Sequence, residues 1–325
     1  MTVSTFPSAY GASLRPFVPE VDYPAVVACH NQSNPDGTMS ETEFRYRDAY
    51  LPAGRWSGRW LLETPAGLAG YCQARHQIGD HDPHTYRIEI HVQPEFRRQG
   101  VGTYLYRHLD TVLSDRKALI VHCWVSEAAL DSVRFLTQRG HAPTREARES
   151  WCDVNAFQPN PKSDPRPRLA AEGVRIATID AFLDACPDAL AQWHAVSETV
   201  GADAPCNGVY QRVPYETWIQ RLAHPGYRSE AQFLALEDGI PVGVASLWHR
   251  SADADVETGV TGVLRGHRRR GIATALKWVA LEYAKAVGAP FIRTDNAADN
   301  VGMLAINAEM GFVPRPAMVQ FTRHR

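Results

Sequence analysis

Apolar residues recur along this chain with two periods, and both periods appear twice in the same order. Ile272, Leu276, Val279, Ala280, Tyr283 and Val287 fall three or four apart and predict an amphipathic helix. Val101, Leu105, Leu109 and Val112, with His108 among them, repeat that stripe less cleanly. Ahead of each helix the pattern shortens to strands. The hairpins Arg59–Glu63 with Leu68–Arg75, and Gln232–Leu236 with Pro241–Trp248, each lead into a longer strand, Tyr86–Val92 or Glu257–Val263. Glu237-Asp238-Gly239 supplies the second hairpin's turn, since Asp-Gly tolerates positive φ at both central positions. Short strands, Leu14–Phe17 and Val174–Ala177, open the two series. After the amphipathic helix come the strands Leu119–Trp124 and Phe291–Thr294, a second helix ending at Gly140 or Gly311, and closing strands Trp151–Val154 and Val319–Thr322.

The two series are related by a constant offset of 171. Arg97-Arg98-Gln99-Gly100-Val101-Gly102 returns as Arg268-Arg269-Arg270-Gly271-Ile272-Ala273, and Arg139-Gly140-His141 returns as Met310-Gly311-Phe312. One duplicated domain explains both landmarks. Between the copies, residues 158–168 are rich in proline and polar residues without apolar periodicity, which predicts an extended linker. The expected organisation is an N-terminal domain over 1–157, a linker over 158–168 and a C-terminal domain over 169–325. The expected fold class is α/β, with a mixed (α+β) twisted sheet flanked by helices on both sides, built twice.

Composition narrows the classes. At 325 residues, with 44% hydrophobic and 22% charged residues, the chain has enough apolar material for two cores. A net charge of −2 offers no polyelectrolyte field for nucleic acid. No run approaches a membrane span, and the first residues lack the charged and apolar blocks of a secretory signal. Six scattered cysteines without a Cys-x-x-Cys pair fit reduced, buried thiols in a reducing cytoplasm.

The chemistry concentrates at the repeated Arg/Gly loop. A strand running into Arg-x-x-Gly-x-Gly/Ala and then a helix brings backbone amides and a helix N-terminus to one point, a site suited to phosphate. Arginines add positive charge around it. A Rossmann loop follows the first strand of its unit, and a Walker loop ends in Gly-Lys-Ser/Thr; neither description fits here.

These loops, with the run Asn296 to Phe312, resemble those of the GNAT N-acetyltransferase superfamily, across nearly the whole of both halves. The tandem layout is distantly similar to that of enzymes of the mycothiol synthase type. The resemblance implies two tandem GNAT domains, acetyl-CoA as cosubstrate, no metal, and a primary amine of a small molecule as acceptor, without nucleic-acid or membrane partners. It places the pyrophosphate on Arg97, Arg98, Gly100, Val101, Gly102 and Thr103, and on Arg268, Arg269, Arg270, Gly271, Ile272, Ala273 and Thr274. Pantetheine would lie along the strands ending at Val92 and Val263, with Asn300 on its arm. The superfamily's usual base, eleven positions before the loop's first Arg, falls on Glu257 in the second half and on Tyr86 in the first, where Glu89 is near. Period-two alternation sets Thr261 on the face of Glu257 to hold a relay water. The usual acid, a tyrosine four before the terminal Gly, is replaced by Asn307 and Leu136, so Asn307 becomes a second candidate catalytic residue. Ala129 stands at the counterpart of Asn300. Catalysis is therefore expected in the second half. The competing class is a non-catalytic acyl-CoA-binding or regulatory protein.

Two further groups stand out. His76, His81, Asp82, His84 and His91 cluster in a strand connection and raise zinc as a minor alternative, without matching cysteines. Trp56, Trp60, Trp193, Trp218 and Trp248 are expected mostly to pack the cores.

Overall fold

Strands form where the alternation was read, with small shifts at their ends. The computed structural model describes residues 11–51, 54–76, 82–158, 161–204 and 212–325. The first series is β1 (Ser13–Pro16), β2 (Ser57–Thr64), β3 (Gly67–His76), β4 (Thr85–Val92), β5 (Ile120–Ser126) and β6 (Ala142–Asp153). The second is β7 (Val174–Thr178), β8 (Gln232–Glu237), β9 (Ile240–His249), β10 (Val256–Val263), β11 (Phe291–Ala297), β12 (Val313–Pro314) and β13 (Met318–His324). Asp238 and Gly239 both take positive φ, 51° and 84°, as a two-residue hairpin turn requires. Gly140 and Gly311 are left-handed at the ends of their helices, as expected of glycine caps.

Two compact units result. One runs to Arg145 and includes Val319–Arg325; the other is Glu146–Met318. The sequence boundary over 158–168 separates the repeats, but the spatial division falls at 145/146 and 318/319. Each unit is closed by the last strand of the other repeat.

In the first unit the strand order is β1-β2-β3-β4-β5-β13, with β4 and β5 parallel. Adjacent residues on one strand face opposite layers. Leu62 and Cys72 pack with Leu105, Leu109 and Phe321 against the helix Val101–Asp115. Leu61 and Tyr71 pack with Val26, Cys29 and Phe44 of the helices Pro19–Ser33 and Glu41–Ala49. Phe321 of β13 is 5% exposed, and its carbonyl accepts from Cys123 Sγ, so the closing strand is part of this core.

In the second unit the order is β6-β11-β10-β9-β8-β7, with β12 on β6 and β10 parallel to β11. Phe233, Ala235, Ala245 and Leu247 meet Ile272, Leu276 and Ala280 of the helix Ile272–Ala286. Leu234, Leu236 and Val244 meet Trp193 and Trp218 on the opposite face, beside the helices Ile179–Leu183 and Ala189–Ala202.

Two sequence expectations change. The closing strand read as Trp151–Val154 is in fact β6, beginning at Ala142, because Thr144 to Glu149 is too charged to show alternation, yet the backbone of Ala147–Asp153 pairs with β11. Nor is the linker wholly extended: Pro161–Ser163 forms a 3-10 turn and Arg166–Ala171 an α-helix, with Pro167 in the first turn where its missing N–H costs nothing.

Among the described residues no helix is long and apolar enough to cross a membrane. Cys29, Cys72, Cys123 and Cys152 are buried free thiols; Cys206 lies outside the described residues.

Candidate functional site

The site begins where two parallel strands part. β10 pairs with β11 only at Val256 and Glu257, opposite Ile292 and Arg293, so the β11-facing edge of Thr258–Val263 has no strand partner among the described residues. β4 and β5 part in the same way after Arg87. An edge of this kind offers backbone donors and acceptors to an extended ligand.

The two strands differ in one respect. β10 carries a bulge between Thr258 and Thr261, whereas β4 pairs with β3 without interruption. An extra residue reverses the faces beyond it. Glu257 opposes Trp248 and Gly262 opposes Val244, while Thr258 and Thr261 oppose Leu247 and Ala245. Thr261 therefore stands on the face opposite Glu257. The expectation that it shares the face of Glu257 is corrected, because alternation holds only within an unbulged strand.

At the far end of each strand the two loops have one backbone conformation. Arg98 and Arg269 take φ of 63° and 62°, and Gly100 and Gly271 take φ of 93° and 85° at the N-caps of their helices. Left-handed backbone at an arginine is strained, and here it occurs twice at equivalent positions. No side chain caps either helix, so the first-turn amides of Val101, Gly102 and Thr103, and of Ile272, Ala273 and Thr274, are left for another acceptor. Ile272 and Val101 send their side chains into the cores, so only their amides face the loop. Thr103 Oγ1 accepts from Arg139 (2.9 Å).

The arginines divide by role. Arg268 Nε donates to the Val263 carbonyl (2.9 Å), as Arg97 Nε does to the Val92 carbonyl (3.3 Å). These two brace the turn onto the strand that precedes it. Arg268 also pairs with Asp203 (2.7 Å), and Arg270 with Glu237 (2.9 Å) and Glu172 (3.2 Å). Arg98 meets Asp131 at 3.3 Å, both well exposed. Arg269 is exposed and forms no ion pair among the described residues.

Glu257 lies where β10 leaves β11. Its side chain keeps 49% of its surface. The protein packed around it still desolvates the carboxyl and pushes it above the ordinary carboxylate range, against the pull of Arg250 at 3.5 Å. Tyr86, its first-unit counterpart, is buried and stacks on His76 with ring centroids 4.6 Å apart. Glu89 is a different case. Burial alone would raise its carboxyl, but Arg47, Arg87 and Arg75, at 3.9, 3.1 and 3.6 Å, hold it well below the usual range. A carboxylate held so firmly ionised is a poor proton acceptor.

Asn307 is buried; its Nδ2 donates to Asn296 Oδ1 (2.7 Å), and its own Oδ1 has no partner among the described residues. Asn300 caps the helix Val301–Glu309, its Oδ1 accepting from the Met303 amide (3.4 Å). Ala129 stands at the equivalent cap without that bond. The Oγ1 atoms of Thr258 and Thr261 are also buried without a hydrogen-bond partner among the described residues, and both lie on the stretch of β10 beyond the divergence.

Sequence reasoning passed over Lys277. It sits one residue past Leu276 on the stripe of the helix Ile272–Ala286, is 2% exposed, and its Nζ has no hydrogen-bond partner among the described residues. Nζ lies 4.9 Å from the Phe312 ring centroid. Burial lowers the ammonium from 10.5 to about 8. A lone lysine inside an apolar helical stripe was the signal available. Because the folded form resists protonation, the unfolded chain binds more protons between pH 8 and 10.5, and stability rises with pH across that window. Lys277→Met is therefore expected to be more stable than the wild type at pH 7, by on the order of 3 kcal/mol. The gap should narrow toward pH 10, read from denaturant midpoints at each pH; a gap independent of pH would contradict this.

His76 accepts from the Trp56 amide at Nδ1 (2.8 Å) and reaches the Pro83 carbonyl through Nε2 (3.1 Å), while His91 Nδ1 meets Ser33 Oγ (2.6 Å). Among the described residues no three His, Cys, Asp or Glu side chains gather to hold a metal; His81 lies outside them. Trp193 and Trp218 are core residues, whereas Trp56 and Trp60 line a pocket.

The model of the acetyltransferase (GNAT) family matches residues 25–141 and again 190–312. A mycothiol acetyltransferase of Brachybacterium faecium is 32% identical over 227 residues, 68% of this chain and 63% of that protein, so the match spans less than two thirds of the relative. A mycothiol acetyltransferase of Frankia casuarinae is 28% identical over 309 residues, 89% of this chain and 79% of its own. Among solved structures, a tandem GNAT protein from the clavulanic acid biosynthesis pathway superposes with a TM-score of 0.74 at 20% identity, covering 96% of this chain and 98% of that one. A GCN5-related N-acetyltransferase from Sphaerobacter thermophilus gives 0.69 at 20% identity, covering 96% and 95%. At these identities the structural likeness speaks to the fold.

Proposed function

Because the chain belongs to the acetyltransferase (GNAT) family, we propose that it moves an acetyl group from acetyl-CoA directly onto the primary amine of a small molecule, with the chemistry in the second repeat, 169–325. The observation that carries this reading is Glu257, a carboxyl at the point where β10 and β11 part, raised above its ordinary range by desolvation.

Acetyl-CoA supplies the thioester whose carbonyl carbon the amine attacks. The residues present fit it: the uncapped amides at Gly271 to Thr274 suit a pyrophosphate, and the orphaned hydroxyls of Thr258 and Thr261 beside an unpaired strand edge suit an amide-bearing arm. Asn300 would reach that arm. Glu257 takes a proton from the substrate ammonium, directly or through water, and frees the neutral amine to attack, a role its raised carboxyl favours. Backbone amides along the free edge of β10 polarise the developing oxyanion. Asn307 takes the place of a phenol and offers only hydrogen bonds, so the departing thiolate draws its proton from elsewhere. Acetylation in a reducing cytoplasm suits the buried free thiols.

A thiol-release assay over a panel of amines tests the reading, with a mycothiol-type acceptor first because the relatives carry that name. Acetyl-CoA binding without thiol release from any amine would leave a non-catalytic acyl-CoA-binding protein.

The shared backbone of the two loops supports two acetyl-CoA sites per chain, the first weaker because Ala129 stands where Asn300 offers an amide. Calorimetric titration is expected to show two binding steps, and Gly100→Glu to remove the weaker one. A titration of Gly100→Glu indistinguishable from wild type would make the first repeat structural only.

A further inference from the structure

One face of the first unit's sheet packs on the helices Pro19–Ser33 and Glu41–Ala49, and along its strands it turns from apolar to charged. Leu61, Tyr71 and His91 form one row across β2, β3 and β4. The next row on that face is Arg59, Gln73 and Glu89, and the one after it Ser57, Arg75 and Arg87. Arg47 reaches the same place from the helix Glu41–Ala49. Trp60 and Cys72 belong to the opposite layer and take no part.

Charge does not balance on this face. Arg87, Arg75 and Arg47 come within 3.1, 3.6 and 3.9 Å of Glu89, the one carboxylate they share. None of these approaches is a hydrogen bond: Arg87 Nε, Arg47 Nε and Nη2, and both Glu89 oxygens are buried without a hydrogen-bond partner among the described residues. Asp48, the other carboxylate nearby, is taken by Arg59 through two hydrogen bonds (2.8 and 2.9 Å) and by the Tyr23 hydroxyl (2.9 Å). Burial holds the His91 imidazole neutral, down to about 3. Three guanidiniums therefore face one carboxylate. Two positive charges are left over in a desolvated recess, where an uncompensated charge is costly.

Arg75 is the sharpest case. It is 9% exposed, its guanidinium donates no hydrogen bond among the described residues, and burial brings it down to about 10. Arg47 and Arg75 both line a cavity, with Tyr23, Asp48, Arg59 and Gln73 on the same face, so both guanidiniums border space that a ligand can enter.

We infer that this recess is a binding site for a small oxyanion, a phosphate or a carboxylate group, held by the guanidiniums of Arg47 and Arg75 with Arg87 adding charge. Each planar fork presents parallel N–H groups to a pair of oxygens, which suits a carboxylate or phosphate better than a monatomic ion. The bound anion supplies the hydrogen bonds and the counter-charge that the cluster lacks. The inference rests on the first unit alone and is independent of the transfer chemistry proposed for the second repeat.

Calorimetry on the full-length protein tests this, with coenzyme A present in excess to fill the phosphate loops. The probes are inorganic phosphate, malonate, and malonamide as the neutral match of malonate. Phosphate or malonate is expected to saturate one site per chain at least about tenfold more tightly than malonamide, as one charge-assisted pair provides; the tighter of the two names the head group. Arg75→Gln and Arg47→Gln should each weaken that binding by about tenfold or more, with circular dichroism as the check on folding. Glu89→Gln removes the competing carboxylate and should tighten binding by about tenfold, a gain that misfolding cannot mimic. No saturable binding of phosphate or malonate, equal affinity for malonamide, or an affinity indifferent to both Arg75→Gln and Glu89→Gln would overturn the assignment.

Discussion

Glu257→Gln is expected to cut turnover by about 10²–10⁴-fold, the usual contribution of a positioned general base, while the acetyl-CoA isotherm stays as in the wild type. The pH profile carries the sign. Glu257 acts as a base only when ionised, and desolvation has raised its carboxyl, so the wild-type rate should climb as pH rises through that raised value. The variant should lack this limb and recover part of its rate at higher pH, where more amine is free. Stability moves the other way. A carboxyl raised on folding stabilises the protein when protonated, and that contribution is lost as pH rises through the folded-state value. Above that value the ionised Glu257 is thus a burden, and there the Gln variant should melt at or above the wild-type midpoint. Full turnover at neutral pH in the variant would remove Glu257 from the mechanism. A fall in both rate and midpoint would assign it a structural role.

Gly271→Glu is expected to abolish acetyl-CoA binding in the second unit, with a loss of affinity of about 100-fold or more. Three effects combine. The position has φ of 85°, where a side chain is strained. A Cβ there would come within 3.1 Å of Arg168 Nη2 and 3.2 Å of Pro165 Cβ. A carboxylate would also compete with the phosphate for the first-turn amides. Gly271→Ala separates these effects, because it brings strain without charge and should lose much less affinity. Circular dichroism checks that both variants fold. Unchanged stoichiometry and affinity in Gly271→Glu would sink the assignment of this loop.

The duplicated order of elements was legible because a helix period and a strand period alternate visibly, and because both loops spell the same Arg and small-residue spacing. The loop geometry followed from those glycines, which alone take the turn at Gly100 and Gly271 comfortably. What escaped the sequence depends on partners. The bulge at Thr258–Thr261 exists only as a mismatch with β9, so the face of Thr261 could not be read from β10 alone. Asn300 looked like a ligand residue and caps a helix as well. Glu89 looked like a spare base until Arg47, Arg75 and Arg87 came together around it from three elements. β6 extends far beyond its apolar end because backbone pairing tolerates charged side chains that face outward.

The trade of closing strands bears on how the chain is made and inherited. The first unit is not complete until residues 319–325 join it, although its other elements leave the ribosome more than half a chain earlier. Synthesis must therefore hold an unfinished sheet until residues 319–325 have emerged to join it. The same wiring removes the freedom that gene duplication usually grants. A copy relieved of its catalytic duty is ordinarily free to be deleted, but here deleting either repeat would strip the survivor of its last strand. Loss of the first repeat would thus cost the second unit β6, whatever the chemistry of that repeat.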